Sequence, residues 1–149
     1  MNHNLANAIS AIRVSDAVAA GTTDVTSAVI DMQNYEGALI IFAFGAITAS
    51  AVTSCKAQQS GDDGASDAYA DLLATGITVA DDDDNQIVIL DIFKPEERYL
   101  KAVIDRGTQD AVVDGIFVLR YGAMKLPATD DSATVVASEV HVSHEEGTA

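Results

Sequence analysis

The run Asp81-Asp82-Asp83-Asp84-Asn85 is the densest group of cation-seeking side chains in this sequence, and a hard ion such as calcium wants several carboxylate oxygens close together. The spacing fails the EF-hand pattern. A loop beginning at Asp81 should carry glycine in its sixth place and glutamate in its twelfth, where Gln86 and Ile92 stand. The run is therefore expected to be an acidic turn that like-charge repulsion pushes into solvent. His141 and His144, beside Glu145 and Glu146, offer imidazole and carboxylate groups that suit zinc, but His3 is the only other histidine and no third ligand is in view.

Nucleophilic chemistry needs a base beside the nucleophile and a third group to orient it. The single cysteine, Cys55, lies in an apolar strand-like run with no histidine or G-x-S-x-G elbow near it, so packing is its expected role. Neither glycine-rich phosphate motif occurs, and Gly61-Asp62-Asp63-Gly64 would repel a phosphate. With 23 Asp and Glu residues some carboxylate pairs are inevitable, and none sits in an apolar neighbourhood that would raise its pKa. The expectation is a protein that is not an enzyme and uses no metal and no cofactor.

The elements that position these residues read as strands. Short β-branched or aromatic runs separated by turn residues recur at 25–32, 38–47, 51–59, 77–80, 86–93, 98–106 and 112–121, the pattern of a β-sandwich rather than of alternating strands and helices. The run at 38–47 is apolar on both faces, as a central strand covered on both sides would be, and 51–59 reads as its neighbour. The run at 86–93 reads as another buried strand. Residues 60–75 are expected to be a loop, and an eighth strand is expected from one of the terminal segments.

The ends differ from this middle. Residues 1–22 form an expected N-terminal arm, either extended or with a short helix over 4–13 carrying Leu5, Ile9 and Ile12 on one side. The sandwich is expected over 23–126. Residues 127–149 form a C-terminal extension whose one alternating piece, 135–142, cannot bury its apolar side alone and is a candidate for pairing with a neighbouring subunit.

Composition sets further bounds. The chain has 149 residues, enough for one domain, and 48% hydrophobic residues supply a core. Eight Lys and Arg against 23 Asp and Glu give a formal charge of −15, which leaves too little positive surface for direct nucleic-acid binding. Met1 to Leu5 lacks the basic and unbroken apolar regions of a secretory signal. The nineteen uncharged residues of 37–55 are diluted by Gly45, Thr48, Ser50, Thr53 and Ser54, so two strands joined by a small-residue turn are expected there and no membrane span.

The block Cys55-Lys56-Ala57-Gln58-Gln59-Ser60-Gly61-Asp62-Asp63-Gly64, followed by Ala70-Asp71, Ile77-Thr78, Asp84-Asn85-Gln86 and Glu97-Arg98-Tyr99-Leu100-Lys101-Ala102-Val103, resembles small virion proteins of tailed bacteriophages, of the head decoration (cement) type. The resemblance spans about residues 35–125, with Lys101 where arginine is commoner. It implies a jelly-roll-like antiparallel β-sandwich, made in the host cytoplasm and carried on the outer surface of the capsid. It further implies the major capsid protein as partner and a homotrimer as the assembled form. Under that reading Arg13, Arg98, Lys101, Arg106 and Arg120 are the expected positive contacts, with Leu5, Ile9, Ile12, Val140 and Val142 as apolar contacts from the two ends. A neck or tail subunit, or a surface carbohydrate-binding module using Tyr69 or Tyr99, are the alternatives.

Overall fold

The computed structural model describes residues 4–143, 146 and 147. After one helical turn, α1 (Leu5–Ala8), every regular element is a strand: β1 (Ser10–Ser15), β2 (Val18–Gly21), β3 (Val25–Thr26), β4 (Ile30–Asp31), β5 (Gly37–Ile47), β6 (Val52–Ser60), β7 (Ala70–Asp71), β8 (Ile77–Val79), β9 (Ile87–Phe93), β10 (Tyr99–Thr108) and β11 (Ala111–Tyr121). They form two sheets. The first has the order β1-β11-β5-β9 with β2 also on β11, and the second has the order β3-β10-β6-β7 with β4 on β10 and β8 on β6.

Since β1 and β2 share one edge position, as do β3 with β4 and β7 with β8, each sheet is four strand positions wide. The antiparallel pairings are nested. The first strands pair with the last (β1 and β2 with β11), the next with the next to last (β3 and β4 with β10), then β5 with β9 and β6 with β7 and β8. Two further ladders, β11 with β5 and β10 with β6, close the two sheets. A ribbon folded back on itself and wrapped in this order is a jelly roll, so the chain is an all-β antiparallel sandwich as its sequence led us to expect.

Alternation builds the core. Ala38, Ile40, Phe42 and Phe44 of β5, Cys55 and Ala57 of β6, Leu100, Ala102 and Ile104 of β10, and Ile116 and Val118 of β11 point inward and are buried between the sheets. The ladder of β11 with β5 slips between Val113 and Gly115. Gly115 adopts φ 149°, a backbone conformation that L side chains rarely reach, and so takes up the bulge that re-aims the strand.

Several expectations change. The stretch expected as an arm is largely in the sandwich: β1 pairs along Arg120 to Ile116 of β11, and only Leu5–Ala8 is helical. Leu5, Ile9 and Ile12 therefore do not share a helix face, and Ile12 packs inward against the core. The strand expected at 25–32 is two short pieces divided at Ser27, whose N–H donates to the Ala102 carbonyl and whose Oγ accepts from the Ala102 N–H. Strand β6 follows β5 in sequence but lies in the opposite sheet, so 37–55 is two strands and a turn crossing the sandwich. Among the described residues no helix is long and apolar enough to cross a membrane. The piece at 135–142 forms no strand within this chain.

One of the expected surface cations turns out to hold the fold together. Arg106 is only 4% exposed, pointing inward from β10. Its guanidinium donates to the carbonyls of Thr23, Ala19 and Ala111, and its own backbone N–H donates to Asp24 Oδ1. One side chain thus ties β2, the turn before β3, and the start of β11. We predict that Arg106→Ala, which strands those carbonyls, lowers unfolding stability by about 3 kcal/mol in urea titrations, with a smaller loss for Arg106→Lys.

Candidate functional site

The residues that carry the family resemblance are occupied in holding turns. Asp62 accepts from the backbone N–H groups of Ser66 and Asp67, Asp67 Oδ2 accepts from the Gly61 N–H, and Ser60 Oγ donates to the Asp67 carbonyl. Those amides, that of Asp67 above all, hold the Asp62 carboxyl below its ordinary pKa. The acidic run is also engaged with the backbone. Asp84 accepts from Ile47 N–H and Asp81 from Ser50 N–H, closing the β5–β6 turn, while Asp83 accepts from Ala80 N–H at 2.9 Å. Among the described residues no three His, Cys, Asp or Glu side chains come together as a metal site, and His3, His144 and Glu145 lie outside those residues. His141 bonds Glu139 at 2.8 Å on the surface.

Cys55 is buried, with its Sγ 3.8 Å from the Ile77 carbonyl, and burial first, then Asp105, pushes the thiol up to about 12. It packs, as expected. Tyr69 and Tyr99 do not make an open platform for sugar stacking. Lys101 Nζ sits 4.0 Å over the Tyr69 ring, whose hydroxyl donates to Asp63, and Arg98 lies 4.8 Å over the Tyr99 ring.

The remaining expected cations divide between surface and interior. Arg98 is committed to a two-pronged pair with Asp31 at 2.8 and 2.7 Å, which holds Asp31 below its ordinary pKa. Arg120 is a correction: it points inward, donating to the Asp31 carbonyl and to Ser10 Oγ, with the Tyr35 ring 4.3 Å away. Lys101 lies on the outer face of the second sheet, and Arg13 on the outer face of the first, 5.8 Å from the Phe117 ring. Leu5 and Val142 are exposed, and Val140 is nearly half exposed. The structure does not gather the expected contact residues into one patch.

What it gathers instead is an apolar face that went unnoticed in the sequence. On the outer side of the first sheet, cross-strand registers set Arg13, Phe117, Ile41 and Ile89 in one row and Ala11, Leu119, Leu39 and Asp91 in the next. Ala43 and Ile87 extend the face at one end, and Tyr121, Gly37 and Phe93 at the other. There Tyr121 lies over Gly37, where any Cβ would strike its ring, stacks on Phe93 at 6.4 Å and donates to Asp91. Strand β9 was expected to be buried, yet it is an edge strand with Ile87 56%, Ile89 53% and Phe93 60% exposed.

The second sheet's outer face is the opposite in character. Lys56 bonds Asp71 at 3.0 Å and pairs with Asp105 at 3.4 Å, Gln58 donates to Asp71, and Ser54 and Thr78 fill the adjoining register. Polar networks of this kind are what a solvent-facing sheet carries. A monomer seldom leaves a broad apolar patch in water.

No protein-family model matches the chain, and no curated protein matches it. Among solved structures, a chain from Bacillus endospore appendages, described as a novel family of disulfide-linked pili, aligns with a TM-score of 0.45 at 12% identity, covering 76% of this chain and 88% of that one.

Two outcomes follow from this chemistry. Native protein should leave Cys55 unlabelled by iodoacetamide over hours, with full labelling in urea measured by mass spectrometry. In Asp62→Ala, hydrogen exchange at Ser66 and Asp67 should quicken while the core amides are unchanged. Because the Asp62 pKa is depressed, the wild-type loop bonds should persist above the ordinary carboxylate range and be lost as pH falls through the lowered value.

Proposed function

We propose that this protein is a structural subunit of a tailed-bacteriophage virion, a head decoration protein whose apolar outer sheet face docks on the capsid shell. The observation that carries the reading is the contrast between the two sheets: Leu39, Ile41, Phe117, Leu119, Ile89 and Phe93 turned to solvent on one, a hydrogen-bonded polar surface on the other. The phage assignment itself rests on the sequence resemblance.

The size suits the task. Four strand positions and about seven residues span roughly 19 by 24 Å, a flat area of about 460 Å², which is over half of the ~800 Å² that one partner gives to a standard interface before side-chain relief is counted. Binding to the assembled shell stabilises it by mass action, and many copies make a weak single contact durable. A charge of −15 keeps the outward polar surface soluble and away from nucleic acid.

Quantifying this chain against the major capsid protein in purified particles tests the reading. Hundreds of copies per particle are expected; a dozen or fewer would make it a neck or tail subunit, and none would overturn it. A double variant, Ile41→Gln with Phe117→Ser, should keep its circular dichroism spectrum while its occupancy on shells falls at least tenfold. Undiminished occupancy would remove the face from the proposal.

A further inference from the structure

The two edges of the first sheet are treated differently. Along β1 the C-terminal segment covers the outer amides: Ala11 N–H donates to Asp130 Oδ1, Arg13 N–H to Thr134 Oγ1, and Ala128 N–H to the Asn7 carbonyl. Side-chain oxygens there blunt the edge that an added strand would use. Along β9 nothing among the described residues does so. The ladder with β5 is flanked by Phe44 N–H to the Gln86 carbonyl and Lys94 N–H to the Glu36 carbonyl, which fixes its phase so that even-numbered residues of β9 bond inward. The N–H and C=O groups of Ile87, Ile89, Asp91 and Phe93 therefore turn to the open side. An open edge with this much apolar surface is a template for another strand.

A strand without a sheet is also present. Residues 135–142, Val-Val-Ala-Ser-Glu-Val-His-Val, carry β-branched residues at alternating places and only one carboxylate in a chain of −15. In this chain they make no ladder, with Val136 and Val142 fully or largely exposed. They leave the sandwich where Thr134 meets Arg13, at the β1 edge. Three strand spacings, about 14 Å, separate that edge from β9. Crossing its own sheet would use up about four extended residues perpendicular to the strands, so no more than about half of 135–142 could pair along β9 of the same copy.

We propose that residues 135–142 of one copy add as a further strand to the free edge of β9 in a second copy. The contact is head-to-tail, because donor and acceptor lie at opposite edges of one sheet, and such contacts close into rings or run on as chains. Main-chain bonds to Ile87, Ile89, Asp91 and Phe93 supply the ladder. Val136, Val140 and Val142 on one side of the added strand extend the apolar face. Self-association by this route is separate from shell docking, so either can fail while the other stands.

Light scattering on three chains, coupled to size exclusion, tests it. The full chain should associate. A chain ending at Thr134, which keeps the contacts of Asp130 and Thr134, should be monomeric. Full-length Ile89→Pro, which removes one outward amide of an edge strand, should be monomeric too. Mixing these two monomers should give a heterodimer, since one retains the acceptor edge and the other the donor strand. As a second readout that does not depend on proline being tolerated, Ile89→Cys with Val140→Cys should form intermolecular disulfides on mild oxidation, Cys55 being buried. Association of the truncated chain at full strength, a monomeric full chain, or neither a heterodimer nor a cross-link would each overturn the proposal.

Discussion

Strand β5 has apolar side chains on both faces, and one chain buries only one of them. Ala38, Ile40, Phe42 and Phe44 seal the interior, while Leu39, Ile41 and Ala43 look outward between β11 and β9. Since β5 holds the centre of its sheet, every neighbour inherits this two-sidedness: Phe117 and Leu119 on one flank, Ile87 and Ile89 on the other. The second sheet is free of the constraint, because β6 and β10 alternate apolar with polar residues, and its outside is accordingly wet and charge-paired. The two layers of one small sandwich are thus built for different surroundings.

The carboxylates in the turns work mainly through backbone hydrogen bonds. Asp62 and Asp67 bind each other's loop amides, Asp84 and Asp81 close the β5–β6 turn, and Asp130 reaches the backbone of β1. An anionic acceptor makes a stronger bond to an amide than a neutral one does, so these loops are braced by their own carboxylates. The rows of the first sheet's outer face carry few charges by comparison, Arg13 and Asp91, with Lys94 beside the Phe93 ring. The bracing of the loops also explains why the residues that carry the sequence resemblance hold turns more than they form a site.

Most strands were legible because alternation and turn residues are local signals. The two-faced β6 and β11 fell as their sequences indicate, with Thr53, Cys55 and Ala57 inside β6 and Ile116 and Val118 inside β11. Strand β1 was harder to see, because Ser10 holds an inward position where Arg120, 110 residues away, supplies a donor to its hydroxyl. Arg106 and Arg120 looked like surface cations for the same reason: their acceptors are carbonyls and a hydroxyl brought near by the fold. The run 86–93 looked buried because both its faces are apolar. Whether such a strand sits in the middle or at the rim of a sheet is a property of the pairing order, which no window of sequence contains.

The nested pairing order has a consequence for how the protein is made. A ribosome releases the chain from its amino end, yet β1 and β2 wait for β11 and β3 waits for β10, the last of the described sandwich strands to emerge. Until then β5, with apolar residues on both sides, has β9 on one flank but lacks β11 on the other. The chain must emerge as far as Tyr121 before the sandwich can close, so apolar segments of the nascent chain stay uncovered over most of the domain's synthesis.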